Sequence, residues 1–301
     1  MSDLKIKVTS LLISGLIIMS VTSCDGDGVK EAVNQKVDIT ETTEDIESRL
    51  SECPQELVDL YYRNPEAEDF VLSYPDECYS HNIDLSEYDD TYYMPHLLQW
   101  DKRWGYESYN NNYLAVAGCG PTCLSMVAIY LTGNSEYSPL WMAEFSDSHG
   151  YAIEGVGTAW SLFTDGVQSI DLYGYSIGTV KETIVTYLLS GYPIICSMGP
   201  GEFTDEGHFV VLNGYEDGYV DILDPNSNLR TKKWKLEDIN DQMVACWAMY
   251  VGDPVVDSPD YYDNNDAIEY YEEESFEEDF FEDEYYDDEE FYSEFEEYEV
   301  D

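Results

Sequence analysis

The sequence predicts an α+β domain of about 200 residues, spanning 54–252, with a polar N-terminal approach and an acidic C-terminal tail. Three observations predict it. After Cys119, the apolar residues Leu124, Val127, Ala128 and Leu131 recur at three- and four-residue spacing, the period of a buried helix. Short apolar runs with β-branched residues, at 209–212 and 219–223, read as strands. The charge, in contrast, gathers outside this region. The 301 residues hold 13 Lys and Arg against 64 Asp and Glu, a formal net charge of −51, and 23 of the acids fall in 257–301. That balance excludes binding to nucleic acid through its phosphates, because a polyanion repels such a chain. It also argues against electrostatic docking on an anionic membrane surface. A hydrophobic content of 44% is enough for one sizeable domain with tails, or for two small ones. The seven Cys include no CxxC pair, so neither a zinc ribbon nor a thioredoxin-type site is suggested.

Residues 1–23 read as an export signal. Lys5 and Lys7 give it a positive start, and the apolar run from Leu11 to Val21 is too short for a hydrocarbon core of about 30 Å. Its end, Val21-Thr22-Ser23-Cys24 followed by polar residues, resembles the lipobox of bacterial lipoproteins. That resemblance makes Cys24 the lipidated first residue of the mature chain; an ordinary secretory signal with an incidental Cys is the alternative. The mature chain is then expected on the extracellular face of the bacterial cytoplasmic membrane, held only by its lipid, or secreted. Residues 24–53 are polar and acidic, and a flexible spacer is expected there.

Next, Pro54 to Tyr62 puts Leu57, Leu60 and Tyr61 on one helical face. After Asn64-Pro65 a second helix is expected from Ala67 to Tyr74, closed by Pro75. Cys53 and Cys78 flank this lead-in and are candidates for a disulfide in an oxidising compartment. At the far end, 253–301 interleaves acids with aromatic pairs such as Tyr261-Tyr262 and Phe280-Phe281, without helical or strand spacing. Carboxylate repulsion is expected to keep it a disordered tail. A second reading makes it adhesive toward a cationic partner or diffuse Ca²⁺.

The chemistry concentrates at Ala117-Gly118-Cys119-Gly120-Pro121-Thr122. Pro121 lies in the first helical turn, which places Cys119 at the helix start, where free N–H groups and the helix dipole favour a thiolate. The small neighbours are expected to let a substrate backbone approach the sulfur. A thiolate needs an imidazole, and there are four His. His81 and His149 lie in polar, loop-like sequence, and His96 follows Pro95 without strand signals. His208 opens the run Phe209-Val210-Val211-Leu212, after a Gly-rich loop at 199–207 and before an expected turn at Asn213-Gly214. The paired strand, 218–223, ends at Asp224-Pro225-Asn226. A carboxylate there is placed to hold the imidazole in one tautomer and favour its cation. Asn226 is the alternative orienting residue. Cys123, Cys196 and Cys246 read as core, and Trp160 reads as cleft lining or core.

Four separated motifs carry a resemblance: Gln99-Trp100-Asp101, Gly118-Cys119-Gly120-Pro121-Thr122, Gly207-His208-Phe209-Val210-Val211-Leu212 and Asp224-Pro225-Asn226. In this order they resemble the C39-like cysteine peptidases of papain-like fold, over roughly 54–252. The resemblance implies a helical half carrying Cys119, packed on an antiparallel β-sheet carrying His208 and Asp224. It further implies Cys119 as nucleophile, His208 as base and acid, Asp224 as the residue orienting the imidazole, and Gln99 as an oxyanion donor. No metal or organic cofactor is implied. The family's exporter-borne members cut leader peptides after paired glycines, but this chain is similar instead to stand-alone secreted relatives. The expected partner is a peptide or protein substrate. Acids outnumber bases by 19 to 7 over 99–252, which favours a cationic one. A silent papain-like module that binds peptides or cell wall is the rival reading.

Overall fold

A computed structural model describes residues 43–79, 82–89 and 93–252. Cys24, His81, most of the expected spacer and the acidic tail lie outside the described residues. Three helices form the lead-in: α1 (Thr43–Glu52), α2 (Gln55–Arg63) and α3 (Glu68–Glu77). A small hairpin, β1 (Ser108–Tyr109) with β2 (Asn112–Tyr113), runs through α4 (Leu114–Ala117) into α5 (Cys119–Thr132) and α6 (Pro139–Ser148). A second hairpin pairs β3 (Ala152–Ile153) with β4 (Gly157–Thr158). The main sheet takes β5 (Leu172–Ser176), β6 (Ile194–Met198), β7 (His208–Glu216), β8 (Tyr219–Asp224), β9 (Ser227–Lys235) and β10 (Met243–Val251). Helix α7 (Lys181–Leu189) lies between β5 and β6 in the chain, and α8 (Leu236–Ile239) between β9 and β10.

The six strands are ordered β5-β10-β6-β7-β8-β9, and every neighbouring pair is antiparallel. This is the expected α+β class. On one face, Ile195, Phe209, Val211 and Trp247 pack with α5 and α6; on the other, Val210, Leu212 and Ile222 pack with α7 and α8. The interior strands are thus covered on both sides, so they read as unbroken apolar runs instead of alternating. Helix α5 is buried nearly all round, from Gly120 to Ile129, as a helix without a polar face must be. Gly133, at φ 67°, ends it with a left-handed cap.

Four local expectations are corrected. The spacer does not reach residue 53, because Thr43–Glu52 is helical: Ile46, Leu50 and Cys53, spaced four and three apart, pack against the lead-in core. Helix α3 runs past Pro75 to Glu77. Proline leaves the carbonyl four residues back without its helical donor, and here that carbonyl, Val71 O, takes the Cys53 thiol at 3.4 Å. The Cys53 thiol also reaches Arg49 O at 3.3 Å, and both Cys53 and Cys78 are free, so the candidate disulfide is not formed. The turn expected at Asn213-Gly214 is instead a bulge, with Gly214 at φ 106° where the register shifts between Leu212 and Tyr215. The chain reverses at Asp217-Gly218, whose φ values of 50° and 90° are both positive, as tight hairpin turns demand.

Candidate active site

Helix and sheet meet at Cys119 and His208. Cys119 is the first residue of α5 and is only partly buried, while His208, 7% exposed, is the first residue of β7. The two glycines beside Cys119 serve internal packing more than substrate approach. A Cβ on Gly118 would run into Leu114 O, and one on Gly120 into the Thr158 side chain. Thr158 is held by the Tyr109 hydroxyl at 2.7 Å, so the surface under the first turn of α5 is fixed.

The three residues expected to act together do converge. His208 Nε2 lies 2.7 Å from Asp224 Oδ1, which leaves Nδ1 for the hydrogen bond that His208 shares with the Cys119 sulfur. Asp224, at the end of β8, is fully buried. Its Oδ1 also accepts the Asn226 N–H at 2.7 Å, and its Oδ2 accepts Arg230 Nε at 2.6 Å. Burial raises the cost of a charged carboxylate, but the His208 and Arg230 cations outweigh it and hold the Asp224 carboxyl below its ordinary range. Burial likewise opposes the imidazolium, yet Asp224 and then Cys119 lift His208 to about 10. For Cys119, burial would raise the thiol. His208 and the N–H groups of Phe209 and Gly120 overcome it, so the net shift is downward. All three directions favour one state near neutrality: thiolate, imidazolium, carboxylate.

Gln99 is 3% exposed and lines the same cavity as Cys119, but its amide nitrogen is engaged. It donates to Ala115 O at 2.8 Å and, more weakly, to Val116 O at 3.3 Å, while its Oε1 is buried with no partner. Asn226 does not orient the imidazole, because its side-chain oxygen accepts from Asn64. His149 closes α6 by bonding Phe145 O, away from the cavity. Cys123, Cys196 and Cys246 are fully buried, as expected of core thiols. Trp160, 47% exposed, packs edge-on against Trp247.

Sequence reasoning missed Arg230 and passed over His96. Arg230 lies across the tight β8–β9 connection from Asp224, and a lone Arg soon after a strand-ending acid is the only signal it left. His96 Nε2 sits 2.8 Å from Asp224 O and 2.9 Å from Thr231 Oγ1, so it braces the backbone of Asp224. The cavity measures about 480 Å³ and is lined by Cys119, His208, Leu60 and Arg63 of α2, and the loop 201–207. Among the described residues no three His, Cys, Asp or Glu side chains converge as a metal site requires. Nor is any described helix long and apolar enough to cross a membrane.

The chain is similar to two solved structures and to one family model. The peptidase domain of Streptococcus ComA, a bi-functional ABC transporter of a quorum-sensing pathway, is 20% identical, with a TM-score of 0.37. The match covers 45% of this chain and 91% of that domain. A Bacillus anthracis protein described as a C39-like peptidase is 16% identical over 58% of this chain and 99% of its own, with a TM-score of 0.36. No curated protein matches the chain. The model of the Peptidase_C39 like family matches residues 92–255, which hold Cys119, His208, Asp224 and Gln99. With more than half of its length so matched, the chain belongs to the Peptidase_C39 like family.

Proposed function

We propose that the protein is a cell-surface thiol hydrolase that cleaves peptide or amide bonds. The observation that carries this reading is the unbroken relay from Cys119 through His208 to Asp224 at the edge of an open cavity. The Cys119 thiolate attacks the substrate carbonyl, forming a C–S bond. The C–N bond then breaks as the His208 imidazolium gives its proton to the departing amine. Water attacks the thioester while His208 takes one of its protons; the C–S bond breaks, releasing the acid and restoring the thiolate. The oxyanion is stabilised by the Cys119 backbone N–H and by Gln99, whose weaker bond to Val116 O is the one to be exchanged for it. Asp224 keeps its charge throughout and holds the ring.

Lipidation of Cys24 would display this domain outside the cell, and the acidic tail would recruit a cationic partner; both belong to the same proposal. Peptide-library digestion read by mass spectrometry tests the activity. Wild type is expected to generate cleavage products and Cys119→Ala none. An inert wild type would leave a peptide-binding cleft as the better reading.

A further inference from the structure

We infer that Asn64 and Glu66, which lie outside the family match, are positioning residues: together they fasten the turn after Asp224 so that its carboxylate meets His208. The inference rests on the hydrolase reading and extends it to the helical lead-in.

Asn64 leaves α2 in extended conformation, and its Oδ1 accepts the N–H of Glu66 at 3.1 Å, which shapes the Asn64-Pro65-Glu66 corner. Its amide nitrogen spends both hydrogens on Asn226, reaching the backbone oxygen at 2.8 Å and the side-chain oxygen at 2.9 Å. Glu66 grips the next three residues. One carboxylate oxygen takes the Ser227 hydroxyl, and the other takes the N–H groups of Asn228 at 2.8 Å and Leu229 at 3.3 Å. These are charge-assisted bonds, and among the described residues the Glu66 carboxylate forms no ion pair. It acts as a multi-toothed acceptor for a turn. Trp100 adds a third hold, its indole N–H on Asn226 O at 3.1 Å.

The clamp bears on the chemistry because of what the held residues touch. The Asn226 N–H donates to Asp224 Oδ1, the same oxygen that takes His208 Nε2, while Arg230 holds the other oxygen. If the turn slackens, Asp224 is free to swing toward Arg230 and leave the imidazole without its acceptor. The lead-in is itself firmly seated, with Leu57 and Leu60 of α2 buried to 1% or less, so the clamp has a rigid base. The charged or titratable groups facing His208 are Cys119 on α5, Asp224 on β8 and, through Asp224, Arg230 on β9. The carboxylates of Glu202, Asp205 and Glu206 line the same cavity.

Iodoacetamide labelling of Cys119 in the full chain, followed by mass spectrometry across pH 4–10, tests the clamp without knowledge of the substrate. Wild type is expected to label as a thiolate below the ordinary Cys value of about 8.5. In Glu66→Ala and Asn64→Ala the profile is expected to move up by about one pH unit, so labelling on its rising limb slows about tenfold. Glu66→Gln, which keeps one acceptor oxygen, should recover part of the rate, and it stands in should Glu66→Ala fail to fold. Lys102→Ala, which frees α3 by removing contacts to Asp69, Ser73 and Glu77, should leave the profile in place. Wild-type profiles in both clamp variants, or an equal shift in Lys102→Ala, would overturn the clamp and leave the hydrolase standing. A wild-type Cys119 that labels as an ordinary thiol would overturn both.

Discussion

Replacing Asp224 with Asn tests the relay most directly, because the amide keeps the shape, removes the charge and turns one of the two acceptor oxygens into a donor. His208 is lifted from 6.5 to about 10 against the cost of its own burial. At about 1.4 kcal/mol per pH unit, that lift favours the imidazolium by roughly 5 kcal/mol. Asp224 is the strongest of the groups that raise it, with Cys119 behind. In Asp224→Asn the His208 midpoint is therefore expected to fall by at least about two pH units, toward or below the ordinary value, since burial then acts with less opposition. Nuclear magnetic resonance titration of the imidazole C–H signals reads this directly, and with only four His in the chain each can be assigned by substitution. Stability should follow with a defined sign. The raised His208 contributes fully below 6.5 and loses its contribution as pH rises through about 10. The lowered Asp224 contributes above 3.8 and loses its share as pH falls through its own depressed value. The gap in Tm between wild type and variant should thus be widest from about pH 4 to 6.5 and narrow on the alkaline side. Removing one member of a buried pair typically costs about 3–5 kcal/mol, and about 2–3 is expected here because Arg230 keeps 28% of its side chain in water. A His208 midpoint that stays in place in Asp224→Asn would refute the assignment of its charge to that carboxylate.

In native protein at pH 7, a thiol alkylator should modify Cys119 far faster than Cys196 or Cys246, which are sealed in the core 3.3 Å from each other; peptide mapping over time would show equal slow labelling if the reading were wrong. Gln99→Ala should lower kcat by about 10²–10³, less than Cys119→Ala, and steady-state rates on any cleaved peptide would measure it. Gly120→Ala forces a methyl against Thr158, so an overpacking loss of about 1–3 kcal/mol is expected in urea unfolding. Thr158→Ser in the same background, by removing the methyl beside it, should restore part of that loss.

The sequence displayed the parts of the site that local patterning controls. The period after Cys119 located α5, the apolar run after His208 located β7, and Asp224 closed its neighbour, because burial dictates those residue types wherever they stand. What patterning could not display is contact made at long sequence separation. Asn64 meets Asn226 across 162 residues, and neither side of that meeting has an unusual composition. Arg230 was hidden for a related reason, since an Arg on a polar edge strand looks like any solvated residue until a buried acid is known to face it. The misplaced turn had a different source. Asn213-Gly214 carries reversal chemistry, but a bulge asks for the same positive φ, and only the pairing register separates the two. Likewise, the period of Ile46, Leu50 and Cys53 was too short and too diluted by acids to be read as a helix.

His208 stands on β7, an interior strand laddered to β6 on one side and β8 on the other. The amides of Val211 and Leu212, laddered on both sides, should therefore exchange with solvent only when the whole sheet opens, whereas His208, paired only with Met198 of β6 at the strand's start, sits where smaller openings suffice. Mild heating should then loosen the imidazole before the sheet unfolds, so that fast alkylation of Cys119 fades below the main unfolding transition.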